Sequence, residues 1–185
     1  MAKGKHFKKP AKAAKAQVET IEKPKKSVFQ QVLKWVFGLV LLAVLLLNVF
    51  TYVFSVVEYN GTGMEPALQG GQKLVIRKVN EVAQGDVIAF YYNNQILVRR
   101  VICTGGQQIE MDENGAVSVG GLPLEEPYVQ NATLGQCNIE FPYYVPIDTV
   151  FVMGDNRVEA MDSRLKEIGT VPEDRIIGKV IYNLK

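Results

Sequence analysis

Two short stretches of this 185-residue chain carry residues whose types and spacing could build a chemical site. Segment 154–164 contains two aspartates and two arginines among other polar side chains: Asp155, Asn156, Arg157, Asp162, Ser163 and Arg164. Each carboxylate has an arginine close by in sequence, so charge-assisted pairs that fix a turn are a simpler interpretation than a catalytic carboxylate pair. The second stretch, 63–68, reads Gly-Met-Glu-Pro-Ala-Leu and contains no hydroxyl group.

Histidine and cysteine usage limits the chemistry further. The single histidine, His6, lies in the N-terminal tail, which excludes a histidine-based triad or a His-ligated metal site in the rest of the chain. Cys103 and Cys137 are the only cysteines, and two isolated cysteines make a poor metal site. The sequence therefore predicts no metal and no cofactor. A Cys103 to Cys137 disulfide and two unpaired thiols remain equal alternatives.

The interval 35–57 contains no charged residue, and its 23 residues can span a hydrocarbon core of ~30 Å as a helix. We predict a transmembrane helix there. Residues 1–34 carry ten lysines against two glutamates, a net of 10 − 2 = +8, whereas the residues after 57 carry eleven basic and seventeen acidic groups, 11 − 17 = −6. Because the lysine excess precedes the helix, we expect a cytoplasmic N-terminus and an extracytoplasmic segment 58–185.

The apolar interval lacks the small residues of a cleavage site at its end, so it is typical of an uncleaved, single-pass anchor in the cell membrane. The basic tail 1–34 is rich in lysine and alanine and is interrupted by prolines, which predicts no packed fold. The lipid bilayer is its expected partner. No motif supports a nucleic-acid partner.

The segment after the anchor predicts a mainly β domain. Short runs rich in valine, isoleucine and aromatic residues recur between turn signals. The predicted strands are Lys73–Arg77, Asp86–Tyr92, Gln95–Ile102, Gln108–Met111, Ala116–Val119, Thr149–Met153 and Ile176–Tyr182. The pairs Asn93-Asn94 and Asn114-Gly115 predict hairpin turns, because these residues tolerate positive φ. Residues 120–146, broken by four prolines, predict an irregular cap or insertion.

Four blocks of this segment, in order and spacing, resemble bacterial type I signal peptidases. Segment 63–68 resembles the family's Ser-Met-x-Pro-Thr-Leu, and 85–90, Gly-Asp-Val-Ile-Ala-Phe, resembles a structural strand motif. Segment 98–102, Val-Arg-Arg-Val-Ile, resembles the Lys-Arg-Val-Ile strand, and 154–164 resembles the Gly-Asp-Asn-Arg signature. The resemblance covers Trp35 to Lys185. It implies an antiparallel β-sheet domain anchored by one N-terminal transmembrane helix.

In that family a serine of the first block attacks the peptide bond, and a buried lysine of the third block acts as the base. The resemblance places Gly63 at the serine position, Arg99 at the lysine position, and Ala160 where a serine orients the lysine amine. Glycine offers no attacking atom and arginine stays protonated. Thr62 is adjacent, but strand alternation predicts that its side chain points away. We therefore predict a catalytically inactive homologue that is not an enzyme.

The lost dyad raises two structural expectations. Arg99 should extend into the space of the missing serine side chain and pair with Glu65, Asp162 or a carbonyl; a solvated arginine at a sheet edge is the alternative. A peptide-binding groove at the membrane surface is predicted from apolar residues that could also pack in the core, namely Met64, Pro66 and Leu68.

The resemblance also implies a role. Dyad-lacking relatives in Gram-positive bacteria are encoded with sortase-assembled pili and are needed for pilus polymerisation. This implies a non-catalytic chaperone or assembly factor that holds a pilin subunit, a sortase or a preprotein segment at the outer membrane face. The alternatives are an active signal peptidase with a non-standard nucleophile and a peptidase inactivated by engineering.

Overall fold

The computed structural model describes residues 27–79 and 81–184. Most of the predicted basic tail, residues 1–26, lies outside the described residues. The chain divides into two compact units, Met1–Ala43 and Val44–Lys185, and the division falls inside a helix.

The apolar interval forms one helix, α1, from Val28 to Val53. Its 26 residues give a length of ~39 Å. Among the described residues it is the one helix that is long and apolar enough to cross a membrane. The structure differs from the predicted bounds, 35–57, at both ends. The charge pattern marks the uncharged span, whereas backbone hydrogen bonding starts the helix at Val28 and strand pairing ends it before Phe54.

The rest of the described chain is mainly β, as predicted. In chain order its strands are β1 (Phe54–Tyr59), β2 (Gln72–Arg77), β3 (Val87–Tyr92), β4 (Gln95–Thr104), β5 (Gln108–Met111), β6 (Val117–Val119), β7 (Leu122–Pro123), β8 (Tyr143–Tyr144), β9 (Thr149–Met153), β10 (Val171–Pro172) and β11 (Ile176–Leu184). A 3-10 turn, Glu173–Arg175, precedes β11.

Within the described residues the strands form two antiparallel sheets. The larger sheet has the order β1-β2-β11-β3-β4-β9-β10, and the smaller has the order β7-β6-β5-β8. Strand β1 was not predicted, because its first four residues belong to the uncharged run. It pairs along its whole length with β2, from Phe54 opposite Arg77 to Tyr59 opposite Gln72.

Both predicted hairpin turns are present. Asn93 and Asn94 have φ of 44° and 62° and join β3 to β4. Gly115 has φ of 87°, in the turn between β5 and β6. The Asp112 carboxylate accepts two main-chain N–H groups in this turn, which holds the turn closed. Mainly antiparallel β structure after one apolar helix is thus confirmed.

Three buried apolar clusters hold the sheets. One contains residues of β1, β2, β3 and β4, among them Tyr59, Leu74 and Ala89. A second, with Phe151 at 0% exposure, packs the smaller sheet against β4 and β9. The segment 120–146 supplies β7 and β8 and packs Phe141 against this cluster. The predicted cap therefore contributes to the smaller sheet, although most of it is irregular.

Candidate functional site

The first block of the site is a turn that follows β1. The Tyr59 hydroxyl accepts the main-chain N–H of Met64 at 3.0 Å, and the Leu68 N–H donates to the Met64 carbonyl at 2.9 Å. Met64 is fully buried and Leu68 is 7% exposed, both in the core beside Tyr59. These two side chains therefore anchor the turn, and Gly63 is held at a fixed place.

This arrangement corrects the prediction that Met64, Pro66 and Leu68 line one peptide-binding groove. Met64 packs in the core, Pro66 is exposed and lines a polar pocket, and Leu68 borders a separate apolar depression beside Val180. The three residues do not line one groove. Strand alternation cannot be applied to them, because residues 63–67 form a turn.

Strand β4 presents Arg99 to this turn. A Cβ on Gly63 would lie 3.1 Å from Arg99 Nη2, so the guanidinium lies beside the position where the family has its serine side chain. Arg99 is 6% exposed; its Nε donates to the Met161 carbonyl at 2.9 Å and its Nη1 to the Val98 carbonyl at 2.6 Å. Of the expected partners, the structure thus provides carbonyl groups.

Burial lowers the pKa of the Arg99 guanidinium, and the neighbouring Tyr59 and Asp162 partly oppose this shift. Arginine begins from so high a pKa that the group remains a cation near neutral pH. Arg99 can donate hydrogen bonds and stabilise negative charge, but it cannot accept a proton from a hydroxyl.

The third expected position, Ala160, also lies at this point. A Cβ on Gly63 would lie 3.3 Å from the Ala160 Cα, and Ala160 is 1% exposed. Gly154 is required next to it, because a Cβ there would meet both the Ala160 Cβ and the Gly63 carbonyl oxygen at 2.3 Å. The tertiary structure therefore brings Gly63, Arg99 and Ala160 together.

The signature residues form a buried polar network behind these positions. Arg164 binds Asp162 through two hydrogen bonds of 2.8 Å, and both side chains are fully buried. The second Asp162 oxygen also accepts the Gly154 N–H at 2.9 Å. The Ser163 hydroxyl accepts the Val152 N–H at 3.0 Å, which ties the loop to β9. These contacts give the loop its fixed shape.

Two further arginine pairs extend the network. Arg100 binds Asp155 through bonds of 2.9 and 2.6 Å, and its guanidinium lies 4.0 Å from the centre of the Tyr128 ring. Arg157 pairs with Glu126 and donates to the Gly154 carbonyl. The predicted cap therefore supplies both Tyr128 and Glu126, neither of which sequence reasoning assigned to the site. Each lies about 30 residues in sequence from the arginine that it contacts. No periodicity in a loop predicts a contact over that separation.

Asn156 binds the signature loop to the first block. Its main-chain N–H donates to the Gly63 carbonyl at 3.1 Å, and its side-chain amide donates to the Thr62 carbonyl at 3.2 Å. The two blocks are 93 residues apart in sequence and share these contacts. The relative position of Gly63 and the signature is therefore set by one main-chain and one side-chain hydrogen bond from Asn156.

Sequence reasoning also misplaced Thr62. The residue lies on a bend before the turn and is exposed, so the alternation of an extended strand does not apply to it. Its hydroxyl donates to the Glu159 carboxylate at 2.6 Å. A hydroxyl group with a carboxylate acceptor thus lies next to Gly63, a pair that no sequence pattern predicts.

The other predicted features are placed as follows. Cys103 is buried in the core and Cys137 is half-buried, and both are free thiols. Their Sγ atoms face different main-chain carbonyls, those of Thr104 and Ile139. Within residues 27–79 and 81–184 no group of three or more His, Cys, Asp or Glu side chains could hold a metal ion.

Comparisons with known proteins point to one family. The family "Signal peptidase, peptidase S26" matches residues 31–184. Signal peptidase I of Bacillus amyloliquefaciens is 30% identical over 175 residues, 88% of this chain and 90% of that protein. Signal peptidase I T of Bacillus subtilis is 30% identical over 85% of this chain and 87% of its own length. A crystal structure of a signal peptidase I from Enterococcus faecalis is 26% identical, covering 55% of this chain and 97% of its own, with a TM-score of 0.47.

The chain belongs to the signal peptidase family. Its relatives and its apolar N-terminal helix together indicate a membrane-anchored protein. The comparisons contradict the prediction that the chain is not an enzyme, because relatives at about 30% identity are named signal peptidase I. That prediction rested on Gly63, Arg99 and Ala160, and it excluded Thr62 by a strand rule that the bend makes inapplicable.

Proposed function

We propose that this chain acts on exported preproteins at the outer face of the cell membrane, as a signal peptidase whose nucleophile is not residue 63. Family membership supports the substrate class and the reaction, hydrolysis of the peptide bond that joins a signal peptide to the exported protein. The lysine excess before α1 supports a cytoplasmic N-terminus and an outer β domain.

One observation carries the choice of nucleophile, the hydrogen bond between Thr62 and Glu159. A hydroxyl group becomes a competent nucleophile when an adjacent base accepts its proton, and 2.6 Å is within the required distance. The pair is exposed, so a peptide can approach it. It also lies one residue from the position at which the family has its serine.

The chemical step assigns each group one role. The Thr62 Oγ1 attacks the carbonyl carbon of the scissile bond while its proton passes to Glu159, and the amine of the exported protein leaves with a proton. Water then hydrolyses the ester on Thr62 and regenerates the hydroxyl group. Arg99, as a nearby cation with fixed carbonyl partners, would stabilise the negative oxygen of each tetrahedral intermediate.

The test is cleavage of a purified preprotein by the full chain in detergent. We expect Thr62→Ala to lower kcat/KM by at least about 10²-fold, and Glu159→Gln to lower it by about 10²-fold, since general bases contribute at least this much. Thr62→Ser should retain activity. Thr170→Ala, a half-buried threonine on the loop before β10, is the matched control and should leave the rate unchanged.

The double variant Gly63→Ser with Arg99→Lys separates substrate class from chemistry, because it restores the residue types of the family's dyad. If this variant cleaves and the parent chain does not, the Thr62 mechanism is refuted while the preprotein remains the substrate. If neither protein cleaves or binds the preprotein, the proposed substrate class is wrong.

A second candidate is an assembly role, in which the outer domain holds a secreted or surface protein, such as a pilin subunit, or its sortase. The observation that favours it is the fixed Arg99 guanidinium beside Gly63, which supplies hydrogen-bond donors where a bound carbonyl group would lie. The step to a pilus partner rests on family analogy. Capture of a purified pre-pilin by the immobilised chain, lost in Arg99→Met, tests this role; equal capture by Arg99→Met contradicts it.

A further inference from the structure

A polar pocket of about 230 Å³ lies beside the first block, on the side of Glu65 and Gln69. Three separate segments form it: the turn after Gly63, the signature turn, and the loop near residue 130. Its polar lining residues are Glu65, Gln69, Gln130, Asn131, Asp155, Asn156 and Arg157. Neither the dyad positions nor the Thr62 and Glu159 pair use it.

One lining residue has an unmet hydrogen-bonding requirement. Arg157 is 1% exposed, with its Nε and Nη2 bonded to Gly154 and Glu126. Its Nη1 is the one buried side-chain nitrogen or oxygen in the described part of the chain that has no hydrogen-bond partner. A buried, unpaired N–H group is costly, by about 1–3 kcal/mol, so this atom favours a ligand that brings an acceptor oxygen.

The charges around the pocket decide which kind of oxygen fits. The Arg157 charge is already balanced by Glu126, and that of Asp155 by Arg100. Glu65 is exposed and has no ion pair among the described residues. The pocket therefore carries a net negative charge, which opposes a carboxylate ligand and permits a neutral carbonyl oxygen.

The remaining polar lining groups are four side-chain amides, each of which can both donate and accept hydrogen bonds. Neutral groups that do the same are the peptide units of a polypeptide and the amides of asparagine and glutamine. We propose that this pocket binds a neutral polar segment of the preprotein, with one of its carbonyl oxygens accepting the Arg157 Nη1–H. This rests on the proposed function and adds a preference for uncharged polar residues near the cleavage site.

The experiment measures binding of fluorescent peptides to the full chain in detergent. One peptide contains an Ala-x-Ala cleavage sequence flanked by Asn, Gln and Ser, and the second replaces Asn and Gln by Asp and Glu. We expect the neutral peptide to bind at least about 5-fold more tightly. Gln130→Ala and Asn131→Ala should each weaken its binding by about 2- to 10-fold, the effect of one hydrogen bond.

Gln95→Ala provides the matched control, since this glutamine is also exposed but starts β4 and does not line the pocket. Equal binding of both peptides, with Gln130→Ala and Asn131→Ala unchanged, overturns the pocket assignment and leaves preprotein binding intact. Failure of the parent chain to bind either peptide also overturns it. Cleavage of an intact preprotein is measured in parallel. If the chain still cleaves the preprotein, only the pocket assignment is wrong and the proposed function stands.

Discussion

The contact between Gly63 and Arg99 makes a quantitative prediction about their coupling. In Gly63→Ser the new Cβ would lie 3.1 Å from Arg99 Nη2, 3.2 Å from Arg99 Cζ and 3.3 Å from the main-chain Cα of Ala160. These distances are shorter than ordinary contacts of about 3.5–4.0 Å between carbon atoms. Neither neighbour can move freely, because Ala160 contributes backbone and two carbonyls hold the guanidinium.

The expected change in the free energy of unfolding of Gly63→Ser follows from two opposing effects. Overpacking a well-filled site costs about 1–3 kcal/mol. Replacing a glycine restricts the unfolded chain and stabilises by about 0.4–1 kcal/mol. We therefore expect Gly63→Ser to lower the free energy of unfolding by about 1–2 kcal/mol. In a domain of this size that corresponds to a fall in Tm of ~3–10 °C.

Arg99→Lys removes the planar group that the new Cβ would meet, so the two substitutions should not be additive. Alone, it loses donors to the carbonyls of Met161 and Val98 and should cost about 1–3 kcal/mol. The double variant should be at least about 1 kcal/mol more stable than the sum of the single effects predicts.

The assay is thermal and urea unfolding of the full chain in detergent, followed by circular dichroism of the β domain. Gly70→Ser is the matched control: its Cβ would meet only the Gly61 carbonyl oxygen and nitrogen, at 3.5 and 3.8 Å, so we expect little change. A Gly63→Ser variant as stable as Gly70→Ser, or a double variant that is simply additive, would refute the close contact on which this reasoning depends.

Two further predictions concern buried groups. Burial raises the pKa of the Cys103 thiol to about 11, so iodoacetamide at pH 9 should modify half-buried Cys137 first. The folded state favours the neutral Cys103 thiol. The contribution of this thiol to stability is therefore complete below the ordinary pKa of 9.0 and is lost as the pH rises toward 11. Unfolding curves that Cys103→Ala leaves unchanged across this pH range would contradict the prediction. Asp162→Asn leaves the buried Arg164 charge without its partner and should cost about 3–5 kcal/mol, whereas the exposed Asp174→Asn should cost little; equal urea midpoints would show that the pair is not needed.

Seven of the eleven strands in the described residues were predicted from sequence, because alternation of residue type and turn chemistry are local properties. Thr149–Met153 and Gln108–Met111 were predicted with the bounds that the structure has, and the paired asparagines marked their turn correctly. The helix end was not predictable in the same way. Residues 54–57 are as apolar as the helix, and only pairing with β2 makes them a strand.

The positions of the candidate site were predictable where its sequence blocks match the family in order and spacing. Gly63, Arg99 and Ala160 were assigned to one place from sequence, and they lie together. The exposure of each residue was not predictable. From sequence, Met64 and Leu68 could line a groove or pack in the core, and the structure places both in the core, on a turn and not on an extended strand.

By itself, the sequence determined the apolar helix, the β content and the four blocks that define the family, because each depends on residue type and spacing within one segment. Only the tertiary structure decided which distant groups meet. It paired Thr62 with Glu159 and Arg157 with Glu126, and it left one arginine nitrogen buried without a partner beside a polar pocket. The physical reason is that these contacts join loops, in which no periodicity relates the position of a residue to the direction of its side chain.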